Sequence, residues 1–326
     1  MITVEHLTKC YGDFLAVDDL SFEIDEGHVY GFLGPNGAGK STTMNIMTGC
    51  LSATGGHVKV DGYDVFETPK QAKRRIGYLP EQPPLYLSET PEEYLRFVGQ
   101  AKGLKGQELE EQIAGVMEQT RITEVRRRPI SALSKGYRQR VGIAQALLGD
   151  PRVIILDEPT VGLDPIQIIE IRELIRQLGQ HHTVILSSHI LSEVQAICDK
   201  ILIINRGKLI AFDTPEGLEK RLLAPSEITL TAEGPEETVR SILGEVAHIT
   251  SLEVTQAGGE RATVRLKTDL EDIYDLSRQL FFAFAGRQVA LLELTLKKTD
   301  LEDIFLELTE QPAEEAAGAE EKEEEA

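Results

Sequence analysis

The stretch Gly34-Pro35-Asn36-Gly37-Ala38-Gly39-Lys40-Ser41-Thr42 fits the spacing Gly-x4-Gly-Lys-Ser, a pattern built to cradle phosphates. Glycines let successive backbone N–H groups curl around a phosphate, and a helix starting here adds the positive end of its dipole. Lys40 is then placed to reach β- and γ-phosphates, and the Ser41 hydroxyl to ligate Mg²⁺. The order of the glycines excludes the dinucleotide fingerprint G-x-G-x-x-G. A second element, Val153-Ile154-Ile155-Leu156-Asp157-Glu158, runs four apolar residues into two acids. It predicts a buried strand ending where open α/β sheets bind their ligands. There Asp157 would hold Mg²⁺ through water, and Glu158 would take a proton from an attacking water.

An apolar run closed by two acids is common, so the second element gains its weight from company. Leu133-Ser134-Lys135-Gly136-Tyr137-Arg138-Gln139-Arg140 precedes it; Gly162-Leu163-Asp164-Pro165 and Ser187-Ser188-His189 follow. Gly77-Tyr78-Leu79-Pro80-Glu81-Gln82 lies between the glycine loop and the rest. This succession resembles the ATP-binding cassette family over residues 1 to about 222: P-loop, Q-loop, signature, acidic strand, D-loop and switch histidine. The signature departs from Leu-Ser-Gly-Gly-Gln, with Lys135 for Gly and Tyr137 for Gln. That variant is similar to an export-type class that includes gliding-motility and nitrous-oxide-reductase-maturation subunits.

The resemblance implies a subunit that binds and hydrolyses ATP beneath separate transmembrane permease subunits, peripheral on the cytoplasmic face of the membrane. It implies that Tyr11 stacks on adenine with Val17 nearby, although a strand-edge aromatic is the plainer reading of Tyr11. It implies that Gly34, Asn36, Gly37, Ala38, Gly39, Lys40, Ser41 and Thr42 hold ATP, with Ser41, Asp157 and Gln82 around Mg²⁺. His189 would bond the γ-phosphate, and with Gln82 it joins Glu158 in the catalytic set. Ser134, Lys135 and Gly136 would act on the ATP of a second subunit, with Asp164 at the interface, so a dimer is expected. A homodimer fits the complete set of site residues, and a related partner chain does so too. Lys135 either attracts the partner's phosphate or points to solvent. A soluble ATPase of DNA repair or translation is the rival reading, and the short interval between P-loop and signature counts against it.

The elements that must position these residues are legible as an α/β pattern. Strands are expected at Ile2–Thr8, Phe22–Ile24, His28–Leu33, Val58–Val60, Val153–Leu156 and Val184–Ser187. Ile201–Ile204 and Lys208–Ala211 flank a hairpin turn at Asn205-Arg206-Gly207. Thr90-Pro91-Glu92-Glu93 predicts a capped helix start, opening an all-helical insertion over about 88–150. Residues 226–311 read β-α-β-β-α-β, a small α+β ferredoxin-like unit after the mixed-sheet cassette. It includes a turn at Gly258-Gly259 and a closing helix from Leu301. In its second helix Phe281 and Phe282 cannot share one face with Phe284, and two of the three rings are expected in the core.

Composition sets the outer limits. The net charge of −20 argues against a nucleic-acid partner. From Glu314 to Ala326 seven Glu stand against one Lys, which predicts a disordered acidic tail over 312–326. No apolar run approaches the roughly 18 residues of a membrane span, and the strand-like Met1–Glu5 suggests no secretory leader. Cys10, Cys50 and Cys198 show no ligand spacing and fit a reducing compartment.

Overall fold

A computed structural model describes residues 1–221, 226–256, 261–268, 270 and 273–297. The chain divides into two compact units, Met1–Leu218 and Glu219–Ala326. The first opens with β1 (Ile2–Tyr11), β2 (Phe14–Ile24), β3 (Val29–Leu33) and α1 (Lys40–Met47). After β4 (Gly55–Val60), β5 (Tyr63–Asp64), α2 (Pro69–Lys73) and β6 (Ile76–Leu79) comes a helical stretch. Its members are α3 (Pro91–Ala101), α4 (Gly106–Gln119) and α5 (Lys135–Leu147). Then follow β7 (Val153–Leu156), α6 (Pro165–Leu178), β8 (Thr183–Ser188), α7 (Leu191–Ile197), β9 (Lys200–Asn205), β10 (Lys208–Asp213) and α8 (Pro215–Arg221).

Two sheets share one core. The smaller is ordered β2-β1-β4-β5, and the larger β10-β9-β3-β8-β7-β6. In the larger sheet β9, β3, β8, β7 and β6 run parallel, and β10 joins at the edge in the opposite sense. Buried Ile2 and Val4 of β1, Tyr30 and Phe32 of β3, and Met44 and Ile46 of α1 lie in one cluster. All four residues of β7 and all six of β8 are buried, as expected for strands covered on both faces. Register sets the site: Leu33 pairs with Ser188, Leu156 with Leu186, and Leu79 with Leu156. The loops after β3, β6, β7 and β8 therefore leave the sheet at one edge.

The β9–β10 hairpin turns on Arg206 and Gly207, both at positive φ (48° and 77°). Two such residues in succession fit the twist of antiparallel strands. β2 is far longer than Phe22–Ile24. Register shifts against β1 and a left-handed Asp19 interrupt the alternation that would have revealed its first half. β5, α2 and β6 are additions to the sequence reading. β6 is only four residues long, too short to carry a period of its own.

The helical stretch is fixed by caps at both ends. Thr90 and Glu93 form a reciprocal capping box, with Pro91 in the first turn of α3. Lys102, at the other end of α3, gives its ammonium to the carbonyls of Gln145, Ala146 and Leu148 at 3.1, 3.2 and 2.6 Å. It thus satisfies the last turn of α5, where orphan carbonyls and the negative dipole end favour a cation. Burial pushes this amine down to about 8.

The second unit contains β11 (Ser226–Glu233), α9 (Glu236–Leu243), β12 (Ile249–Gln256), β13 (Arg261–Thr268), α10 (Ile273–Gly286) and β14 (Leu291–Lys297). Its sheet is antiparallel throughout, in the order β12-β13-β11-β14. That is the ferredoxin-like arrangement. β13 alternates inward Ala262, Val264, Leu266 and Thr268 with outward residues. Ile273, Leu276, Leu280 and Phe284 bring α10 onto that core. One phenylalanine is buried instead of the expected two. Phe284 is fully covered, whereas Phe281 and Phe282 stay 56% and 64% exposed and stack edge to face. The Gly258-Gly259 turn, the helix from Leu301 and the acidic tail lie outside the described residues.

Candidate functional site

α1 starts without a side-chain cap. Its N-cap is Gly39, at φ 100°, and a Cβ there would lie 2.6 Å from the Ala16 carbonyl. Only glycine fits both the backbone and the space. The open first turn and the loop before it form one wall of a cleft of about 410 Å³. Asn36, Gly37, Ala38, Gly39, Lys40, Ser41 and Thr42 line that wall, with Tyr11, Phe14 and Ala16 beside it and Glu81, Glu158, Val161 and His189 completing it.

Lys40 is nearly buried and donates to the carbonyls of Gly34 and Pro35 at 2.8 and 3.2 Å. Its ammonium lies 3.5 Å from Glu158 Oε1. The other carboxylate oxygen of Glu158 is 3.1 Å from His189 Nδ1. Glu158 has φ 47°, a left-handed conformation that costs a non-glycine residue roughly 1–2 kcal/mol. The Ser187 hydroxyl supports it, accepting the Glu158 N–H at 2.8 Å and donating to Asp157 Oδ1 at 2.6 Å. Ser41 Oγ donates to the same Asp157 oxygen at 3.1 Å. A hydroxyl and a carboxylate together are the hard-oxygen donors that suit Mg²⁺. Burial, and secondarily the Asp157 charge, hold the neighbouring Tyr78 phenol far above its ordinary value.

Three expected residues fall elsewhere. Val17 is fully buried in the core, and Ala16 is the residue that faces the cleft. The alternation of β2 makes adjacent residues point to opposite sides. Gln82 is exposed and does not line the cleft, whereas Glu81 does. Gly34 lies beneath the loop, where a Cβ would strike the Ile204 carbonyl. Phe14, Glu81 and Ser187 are additions to the expected site residues.

The signature residues form a separate group. Ser134 caps α5, its hydroxyl accepting the Tyr137 N–H at 3.4 Å. Asp164 caps α6, accepting the Gln167 N–H at 2.9 Å. Gly136 packs against the Gln167 side chain, and the Lys135 side chain stays exposed, with its ammonium close to Gly162. Tyr137 donates its hydroxyl to Glu124, whose carboxylate raises the phenol's pKa. None of Ser134, Lys135, Gly136 and Asp164 lines the P-loop cleft.

Residues 17–161 match the family model described as ABC transporter. The chain is 34% identical over 312 residues to the linearmycin resistance ATP-binding protein LnrL of Bacillus subtilis, covering 95% of this chain and 98% of that one. It is 34% identical over 313 residues to the bacitracin transport ATP-binding protein BcrA of Bacillus licheniformis, covering 94% and 97%. The solved dimeric post-hydrolysis state of the ATP-binding cassette MJ0796, bound to ADP and Pi, superimposes with a TM-score of 0.60. That match is 26% identical and covers 66% of this chain and 98% of that one. Phosphate loop, acidic strand and near-full-length likeness agree: the chain belongs to the ABC transporter ATP-binding proteins, the ATP-hydrolysing subunits of these transporters.

Proposed function

We propose that this chain powers export through separate membrane-spanning subunits, as a homodimer that closes on two Mg²⁺-ATP and reopens after hydrolysis. One observation carries the reading. The P-loop, Glu158 and His189 meet in one cleft, with Asp157 bonded to Ser41 behind it, while the signature helix end sits outside it. An anion site at the start of the 13-residue α5 has no nucleotide of its own, so a second cassette must supply one. Exposed Val161, Ile166, Ile169 and Ile190 give the same region the apolar surface a partner copy would cover.

In the proposed mechanism Tyr11 stacks on the base, and Lys40 with the α1 N–H groups holds the phosphates. Ser41 and Asp157 would hold Mg²⁺, which supplies charge neutralisation on the phosphoryl oxygens. Glu158 accepts the proton of the attacking water, and His189 orients that carboxylate and bonds the γ-phosphate. The loop after β6 senses the nucleotide, with Glu81 lining the cleft and Gln82, exposed beside it, reaching Mg²⁺ when the loop turns in. Tyr86, Leu87 and Phe97 beside that loop are exposed apolar groups that suit a membrane-subunit contact. Export is the direction that the resistance and bacitracin-transport relatives support, as does the variant signature. The gliding-motility and nitrous-oxide-reductase-maturation class is the finer placement proposed. The division of labour is a cassette over 1–222, an accessory unit over 226–311 and a tail over 312–326. Attachment at the cytoplasmic face follows from the membrane partner; no described helix is long and apolar enough to cross a membrane.

Mixing variants tests the shared site. Lys40→Ala spoils the P-loop and Ser134→Arg the signature, so each alone should be inactive. An equimolar mixture should regain ATPase activity, because one of its composite sites is intact. Full activity of Ser134→Arg alone would refute the two-chain site.

A further inference from the structure

Glu193 is buried, with 4% of its surface exposed, and takes no part in the chemistry set out above. Its Oε2 accepts the Thr160 hydroxyl at 2.6 Å and the Ser188 hydroxyl at 3.2 Å. Its Oε1 lies 3.4 Å from Arg172 Nη2 on α6, and the Nε of that arginine is buried with no partner. Thr160 stands two residues after Glu158, across Pro159, and Ser188 immediately precedes His189. A buried carboxylate is tolerated only while its hydrogen bonds are made. Both segments must therefore be in place for Glu193 to be satisfied.

Building on the proposed roles of Glu158 and His189, we propose that Glu193 is a positioning residue for hydrolysis, locking the base to the switch histidine. The linkage is short and stiff. Pro159 has a fixed φ, so a shift of Thr160 passes to Glu158 with little slack. Glu158 is held at φ 47°, and strained backbone persists only where its surroundings over-determine it. Ser187 fixes the strained residue on one side, and Thr160 anchors the loop on the other. Through Arg172 the same carboxylate reaches α6, whose N-cap is Asp164. Movement of His189 is thereby felt in the loop that runs toward the partner cassette.

The test uses the full chain with Thr160→Val, which removes one buried hydroxyl at nearly constant shape, and Glu193→Ala. Both should lower kcat about 10- to 100-fold, as expected when reacting groups are displaced by an ångström. KM and ATP affinity by nucleotide titration should stay within about twofold, because uniform binding is untouched. Thr160→Ser should recover activity, and the double variant should be no worse than Glu193→Ala alone. A Thr160→Val protein with wild-type kcat overturns the proposal, even if Glu193→Ala fails to fold. So does a loss of kcat that merely follows a loss of folded protein or of ATP binding. A Glu158→Gln chain as active as wild type would instead sink the assignment of the base on which this rests.

Discussion

The charge arithmetic of the cleft makes Glu158→Gln an informative substitution. Glu158 lies 3.5 Å from the Lys40 ammonium and 3.1 Å from His189. At 3.5 Å the Lys40 pair has about 1–5 kcal/mol of Coulomb attraction, for effective dielectrics from bulk water to protein surface. A glutamine ends that attraction and frees Lys40 for an incoming phosphate. It also removes one negative charge from a cleft that must receive a polyanion. ATP affinity should therefore hold or tighten. Turnover should behave oppositely, since losing the general base removes about 10²- to 10⁴-fold of rate, or roughly 3–5 kcal/mol. The amide keeps the shape and the backbone donor to Ser187, so the fold should be unaffected.

In the proposed dimer, ATP that is not hydrolysed would keep two cassettes together, so the variant should double in mass with ATP and stay doubled. Phosphate release, nucleotide titration and light scattering with and without ATP measure the three consequences. Phosphate release within tenfold of wild type, with no ATP-dependent dimer, would refute the assignment of Glu158. Weakened ATP binding would refute the charge argument, because it would mean that the carboxylate helps to hold the nucleotide.

Tyr11→Ala should weaken ATP binding about 5- to 150-fold, the equivalent of roughly 1–3 kcal/mol of base stacking, by titration. Unchanged affinity would make Tyr11 only a strand-edge aromatic. Lys102 gives a pH signature. Its pKa falls from 10.5 unfolded to about 8 folded, so the unfolded chain binds more protons between those values. Its contribution to stability should rise as pH climbs through that window, and the melting-temperature gap between wild type and Lys102→Met should widen in favour of wild type. A gap that closes instead would refute the shift. Thr90→Ala, which breaks the capping box of α3, should cost about 1 kcal/mol in a denaturant melt with basal nucleotide affinity unchanged.

The sequence exposed those parts of the fold whose local chemistry and tertiary context agree. The Thr90 capping box is read from four residues and found intact, because a cap needs nothing beyond its own turn. β7 is read from four apolar residues because a strand covered on both faces has no other option. β6 and the first half of β2 were hidden for the converse reason. One is too short for periodicity, and the other is broken by register shifts that depend on β1. The phenylalanines of α10 show the same limit. Spacing shows that the three cannot share a face, but the thickness of the small core decides that only Phe284 enters it.

The cleft was legible wherever a residue is tied rigidly to a strand end. Asp157 and His189 directly follow β7 and β8, whose register sets them side by side, and the glycine loop after β3 carries Lys40 to the same sheet edge. Glu81 and Gln82 lie beyond β6 in a loop, where no period says which of two neighbours turns inward. The structure turns the acid inward, and that choice has a consequence. Glu81 and Glu158 both line the cleft, and Asp157 stands just behind Ser41, while Lys40 is already 3.5 Å from Glu158. A free nucleotide triphosphate would meet these carboxylates with like charge. A triphosphate carrying a divalent cation meets them with a partner for the acids and phosphates for the helix end. The acids and the P-loop thus form the set that the proposed mechanism needs, suited to a Mg²⁺ chelate more than to ATP alone.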